Sequence, residues 1–161
     1  MKDYQYFAIA RALHVVGVVL WIGGVAFVTT VLIPSIKQIA VPAEQLKLFE
    51  QLERRFALQA RIVTVVTGLS GLYMLALVDG WTRYQQLQFW WLHLMTLIWV
   101  VFTVVLFVLE PLVLHRWFHR QAIANASRAF AWLHRLHVAL LTLSLIAVVG
   151  AVAGSHGVQF F

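Results

Sequence analysis

The chain has 161 residues, of which 62 % are hydrophobic and 11 % charged, with a net charge of +6 and no cysteine. That balance lies far from a soluble globular average, and the chain is too short to hide so much apolar length in a water-facing core. Missing thiols exclude disulfides, iron–sulfur clusters and thiolate metal sites.

The charge-free runs define the elements. Asp, Glu, Lys and Arg are absent from residues 12–36, 62–78, 84–109 and from Leu136 onward. About 20 apolar residues cross the hydrocarbon core, where backbone amides must bond within their own segment. Four transmembrane helices are predicted, at about 6–33, 56–78, 88–114 and 132–154, forming one all-α membrane bundle. Helix one is expected to stop at Pro34. Its apolar run is longer than a signal peptide's, so it is expected to remain as a helix.

Between helices one and two, Pro42-Ala43-Glu44 reads as a helix start. Leu46, Phe49, Leu52 and Phe56 then recur at helical spacing, the pattern of a short amphipathic interfacial helix running into helix two. Asp79-Gly80 reads as the turn after helix two, and Trp90-Trp91 as an aromatic anchor opening helix three. Gly150 and Gly154 give helix four a small-residue packing face.

Cations set the orientation. Lys37, Lys47, Arg54, Arg55 and Arg61 lie around the first connection, and Arg116, Arg120, Arg128 and Arg135 around the third; Lys2, Arg11 and Arg83 lie on the other face. The nine-to-three split places both basic connections in the cytoplasm and both termini outside. It also makes the net charge a topology signal, with no nucleic-acid partner implied. The expected location is a bacterial inner membrane.

Seven histidines are many for this length, and ionisable groups inside a membrane point to function. At ~1.5 Å per residue, His14 lies about 9 Å outward of the middle of helix one, and His93 about 12 Å outward of the middle of helix three. Two imidazoles at one level on separate helices are what a six-coordinate haem iron needs. Gly17, Trp21 and Gly24 continue the His14 face, where small residues would let a flat macrocycle approach. Arg11, one turn outward, could pair with a propionate. Thr96, Thr103 and Glu110 continue the His93 face, expected to turn inward. His137 on helix four is a further ligand candidate, and with His115 or His134 could hold a second haem on the inner side. His115 and His119, beside Arg116 and Arg120, read more simply as headgroup-contacting groups, and Arg61 as a snorkelling cation or an anion holder.

Arg11-Ala12-Leu13-His14-Val15-Val16 with Leu20-Trp21-Ile22-Gly23-Gly24 resembles the opening helix of HemJ-type protoporphyrinogen oxidases and of the CopD-like copper-resistance membrane domain. Phe49-Glu50-Gln51-Leu52-Glu53-Arg54-Arg55-Phe56 followed by Thr67-Gly68-Leu69, and Trp91-Leu92-His93, resemble the HemJ pattern entering helices two and three. The resemblance covers about the first two thirds of the chain. It implies a four-helix membrane protein with haem b and His14 as axial ligand, and the histidines of helix four leave room for one haem or two per chain. It also implies a haem-dependent oxidoreductase acting on protoporphyrinogen, while the reading of the residues admits a membrane quinone, a porphyrin substrate or a partner complex as the electron partner. The lysine that these oxidases carry after the start of helix three falls here on Met95, whose thioether cannot supply an ammonium. Little or no protoporphyrinogen oxidation is therefore expected, and an electron-transfer role is favoured. Copper handling and a non-catalytic membrane subunit are the alternatives, and a homo-oligomer fits any of them.

Overall fold

The computed structural model describes residues 2–158, and only the backbone of 113–116 among them. It is an all-α bundle in which four helices are long and apolar enough to cross a membrane. They are α1 (Lys2–Ile36), α2 (Pro42–Leu77), α3 (Leu87–Leu112) and α4 (His115–Ser155). Each packs on its neighbours in sequence, α1 most extensively on α2 and α3 on α4, and α4 returns to α1. The diagonal α1–α3 pair meets in the core through Trp21 and Phe102, whose rings stand edge to face at 4.9 Å.

Pro34 does not end α1, which continues to Ile36. The turns just before it are π-helical, Val28–Leu32, and the Ile33 N–H reaches back to the Val28 carbonyl. A widened turn relieves the clash of a proline ring with the preceding carbonyls. The same device recurs around Pro111, where a π-helical stretch, Val105–Leu114, forms the end of α3 and runs on past it. A π turn would direct the residue-111 amide to the Leu106 carbonyl, but proline has no N–H to give. The Arg61 Nε–H of α2 supplies the missing bond at 3.1 Å, and the same guanidinium pairs with Glu110.

The stretch read as a short interfacial helix is the first part of α2, a single helix of 36 residues. At ~1.5 Å per residue that is about 54 Å, well beyond the ~30 Å hydrocarbon thickness. Its Phe49 packs against Phe118 and Phe130 of α4 in a cluster that includes Ile36, extending the bundle past the charge-free runs. The stretch labelled α4 is two helices that meet at a kink at Asn125 (φ −158°, ψ 90°). The Trp117 and Trp132 rings, one on each side, come together at 4.8 Å, so the chain folds back there. Asn125 Oδ1 accepts the Arg128 N–H at 2.9 Å as the N-cap of the second helix, which begins before residue 132.

Without a hydrophobic drive inside lipid, close packing decides which helices meet. A β-carbon on Gly150 or Gly154 would run into the Trp90 and Trp91 indoles, so the tryptophans seat on the small face of α4. Gly68 likewise receives the Trp99 indole, whose Nε1–H donates to the Thr64 carbonyl at 2.9 Å. Gly68→Ala is expected to expel that ring and destabilise the bundle by about 1–3 kcal/mol. Gly23→Ala, with nothing within 4 Å of the added carbon, should sit near zero. Thermal unfolding in detergent followed by tryptophan fluorescence separates the two.

Candidate functional site

His14 is half-buried and faces α2. Its Nδ1–H donates to the Thr67 carbonyl at 2.9 Å, with the Ser70 hydroxyl 3.4 Å from the same nitrogen. Since a carbonyl can only accept, this bond puts a proton on Nδ1, and in the neutral ring the lone pair then lies on Nε2. Gly71 admits the ring, because a β-carbon there would stand 3.1 Å from His14 Cε1.

The rest of the α1 face is closed by α2. A β-carbon on Gly17 would collide with Thr67 Oγ1, and one on Gly24 with the Phe56 ring. The expected role of Gly17 and Gly24 as the floor for a macrocycle gives way to helix-on-helix contact. Trp21 faces the core as expected and is 4 % exposed. Its Nε1–H finds no acceptor among the described residues, and the buried hydroxyls of Thr64 and Thr67 are likewise unpaired. Arg11 is exposed and forms no ion pair among the described residues.

His93 does not turn toward His14. It is exposed, and its Nε2 lies 2.9 Å from the Tyr84 carbonyl in the α2–α3 connection, with Nδ1 3.3 Å from the Phe89 carbonyl. The connection folds back because Asp79 adopts a left-handed conformation at the expected turn (φ 47°), and Tyr84 then hydrogen-bonds Thr96 at 2.6 Å. The imidazole is captured edge-on by the Tyr84 ring at 5.3 Å. Among the described residues, no hydrogen bond or ring contact joins it to His14. Two residues on, Met95 is half-buried against the core cluster.

His137 is half-buried on α4, donating from Nδ1 to the Leu133 carbonyl one turn back at 2.9 Å. The His115 side chain, expected as one possible partner of His137, lies outside the described residues. His119 bonds Glu50 at 2.9 Å, which ties α4 to the basic end of α2. Of the α3 polar stripe, Thr103 bonds back to the Trp99 carbonyl at 2.7 Å and Glu110 holds Arg61. Arg61 therefore closes on a protein carboxylate and does not present its charge to an anion.

Two hollows lie at the basic end, one of about 1100 Å³ reaching Arg61 and Glu110, the other of about 440 Å³ between α1 and α2. Neither wall contains a histidine. Among the described residues, no three His, Asp or Glu side chains gather as a metal cluster. In comparison with known proteins, no family model, no curated protein and no solved structure matches the chain.

The His14 imidazole has the donor chemistry that a haem iron takes. A neutral imidazole tied through one nitrogen to a carbonyl is the usual state of a metal-binding histidine. The orphaned Trp21 and Thr67 groups, on the same two helices, lack partners that a bound group or water would provide. The closed glycine face and the outward His93 do not add to that donor chemistry.

Proposed function

We propose that the chain is a membrane-embedded b-type haem protein with a redox or electron-transfer role, held through His14. The observation that carries this reading is the His14 imidazole. It lies within a membrane-spanning segment, with one nitrogen fixed by the Thr67 carbonyl and the other bearing the lone pair of the neutral ring. When bound, haem supplies reversible one-electron chemistry, and the protein tunes it through ligation and burial.

The chain's own contributions follow from the geometry. Thr67 holds the tautomer and makes Nε2 the more electron-rich donor. Packing of α2 on α1 at Gly17 fixes the height and rotation of the ring. Arg11, exposed one turn away, is available to a carboxylate at the membrane edge. Met95, facing the core where the oxidase resemblance expects a lysine, offers a thioether and no proton. That favours electron transfer over porphyrinogen oxidation, with a quinone or partner protein as the exchange partner.

The direct test is the absorption spectrum of the detergent-purified chain, with haem counted as the pyridine haemochrome. A b-type Soret band and reduced α-band at about one haem per chain are expected. A colourless protein after expression with ample haem overturns the reading. Because His93 is exposed and engaged by Tyr84, His93→Ala should leave haem content and the oxidised spectrum unchanged. A shift to a five-coordinate spectrum would instead make it the second ligand.

A further inference from the structure

The ~440 Å³ hollow between α1 and α2 is a trough on the membrane-facing side of the bundle, and its lining changes character from end to end. At the basic end stand Phe27 of α1 and Arg55 of α2. Towards the middle come Gly23, Gly24 and Phe56, with Gln59 one helical turn beyond Arg55. The far end is purely aliphatic, Val19 and Leu20. Antiparallel packing of the two helices sets this order. The base of the trough is open at Gly23, where an added β-carbon meets nothing within 4 Å, whereas Gly24 is covered by Phe56.

Its charge is equally one-sided. Arg55 is exposed and has no ion-pair partner among the described residues. It also lines the larger hollow next door, together with Lys47 and Arg54. Within that hollow the Arg61 charge is met by Glu110 and the Glu50 carboxylate by His119, and Glu53 also lines it. In the lining of the trough itself the cation is Arg55, which is exposed.

We propose that this trough is a binding site for one anionic phospholipid of the leaflet at the basic end. The phosphate rests on Arg55, and the Gln59 amide donates to a glycerol ester carbonyl one turn deeper. One acyl chain lies over Gly23 between Phe27 and Leu20. The positive-inside rule assigns this end to the cytoplasmic leaflet, where anionic lipids are concentrated. The length of α1 from Phe27 to Val19, about 12 Å, matches a chain running along the membrane normal and not across it. A neutral isoprenoid quinone would leave Arg55 unmatched, which is why the phospholipid is the occupant chosen.

Native mass spectrometry of the full chain, released from mixed micelles of phosphatidylglycerol and phosphatidylcholine, tests the site. One phosphatidylglycerol is expected to stay bound under conditions that strip phosphatidylcholine. Arg55→Gln should lower that retention about fivefold, the contribution of one arginine at an anionic surface. Gly23→Leu, whose side chain enters open space, should abolish retention while leaving thermal stability and helical content at the wild-type level. Equal retention of both lipids, full retention in Gly23→Leu, or a bound mass equal to a quinone or to a second copy of the chain would each overturn the proposal. None of these readouts depends on haem, so the site stands or falls apart from the function proposed above.

Discussion

His14→Ala is expected to strip haem from the purified protein, reducing Soret absorbance per chain by more than roughly tenfold. Removing only the hydrogen-bond partner of a metal-binding histidine costs about 10–100-fold in affinity, so losing the ligand itself sets a larger effect. The fold should survive. The Thr67 carbonyl lies inside an unbroken stretch of α2, where the backbone ladder continues to engage it after the imidazole is gone. Circular dichroism and the elution volume should match the wild type, separating ligand loss from unfolding. Ser70→Ala, which removes a hydroxyl 3.4 Å from Nδ1 but spares the Thr67 bond, should retain most of the haem. A full complement of haem in His14→Ala would sink the assignment of the iron to α1.

Arg61→Leu is the second large effect, and it acts on stability. Two groups lose their partner together: the Glu110 carboxylate and the Leu106 carbonyl that Pro111 cannot serve. Breaking a buried pair by removing one member costs about 3–5 kcal/mol. These side chains are 33 % and 21 % exposed, so about 2 kcal/mol is expected from the ion pair, with about 1–3 kcal/mol more for an orphaned carbonyl. The double variant Arg61→Leu/Glu110→Leu should recover the first part and not the second. Unfolding in detergent would read this as partial rescue. Complete rescue would mean that the Leu106 bond contributes nothing, and no loss in Arg61→Leu would mean that α2 and α3 are not clamped there.

The membrane elements were legible for one reason. Charge-free runs long enough to span a bilayer must satisfy their own backbone as helices, so hydropathy alone places four spans and their order. The segments at the basic end were less legible. Phe49 at helical spacing fits an apolar face laid on lipid, yet it packs upright against Phe118 and Phe130, since nothing in a periodicity names the partner surface. Pro34 reads as the end of helix one, but a widened turn carries that helix through; at Pro111, inside the expected span of helix three, a widened turn and a borrowed guanidinium do the same.

The candidate site divides the same way. That His14 sits inside a span follows from its position in the run, whereas its partner does not. Depth along a helix is one coordinate, and rotation about the axis is set by contacts from other helices. Thr67 against Gly17 turns His14 toward α2, and the Tyr84 connection draws His93 out of the bundle, although both histidines lie at similar heights. Trp90 and Trp91 have the composition of an interfacial belt but fill the small face of α4. The sequence by itself determined which segments enter the membrane and which end is basic, because both are sums over one segment. Only the tertiary structure decided which polar groups face one another, because that depends on side-chain shape across helices far apart in the chain.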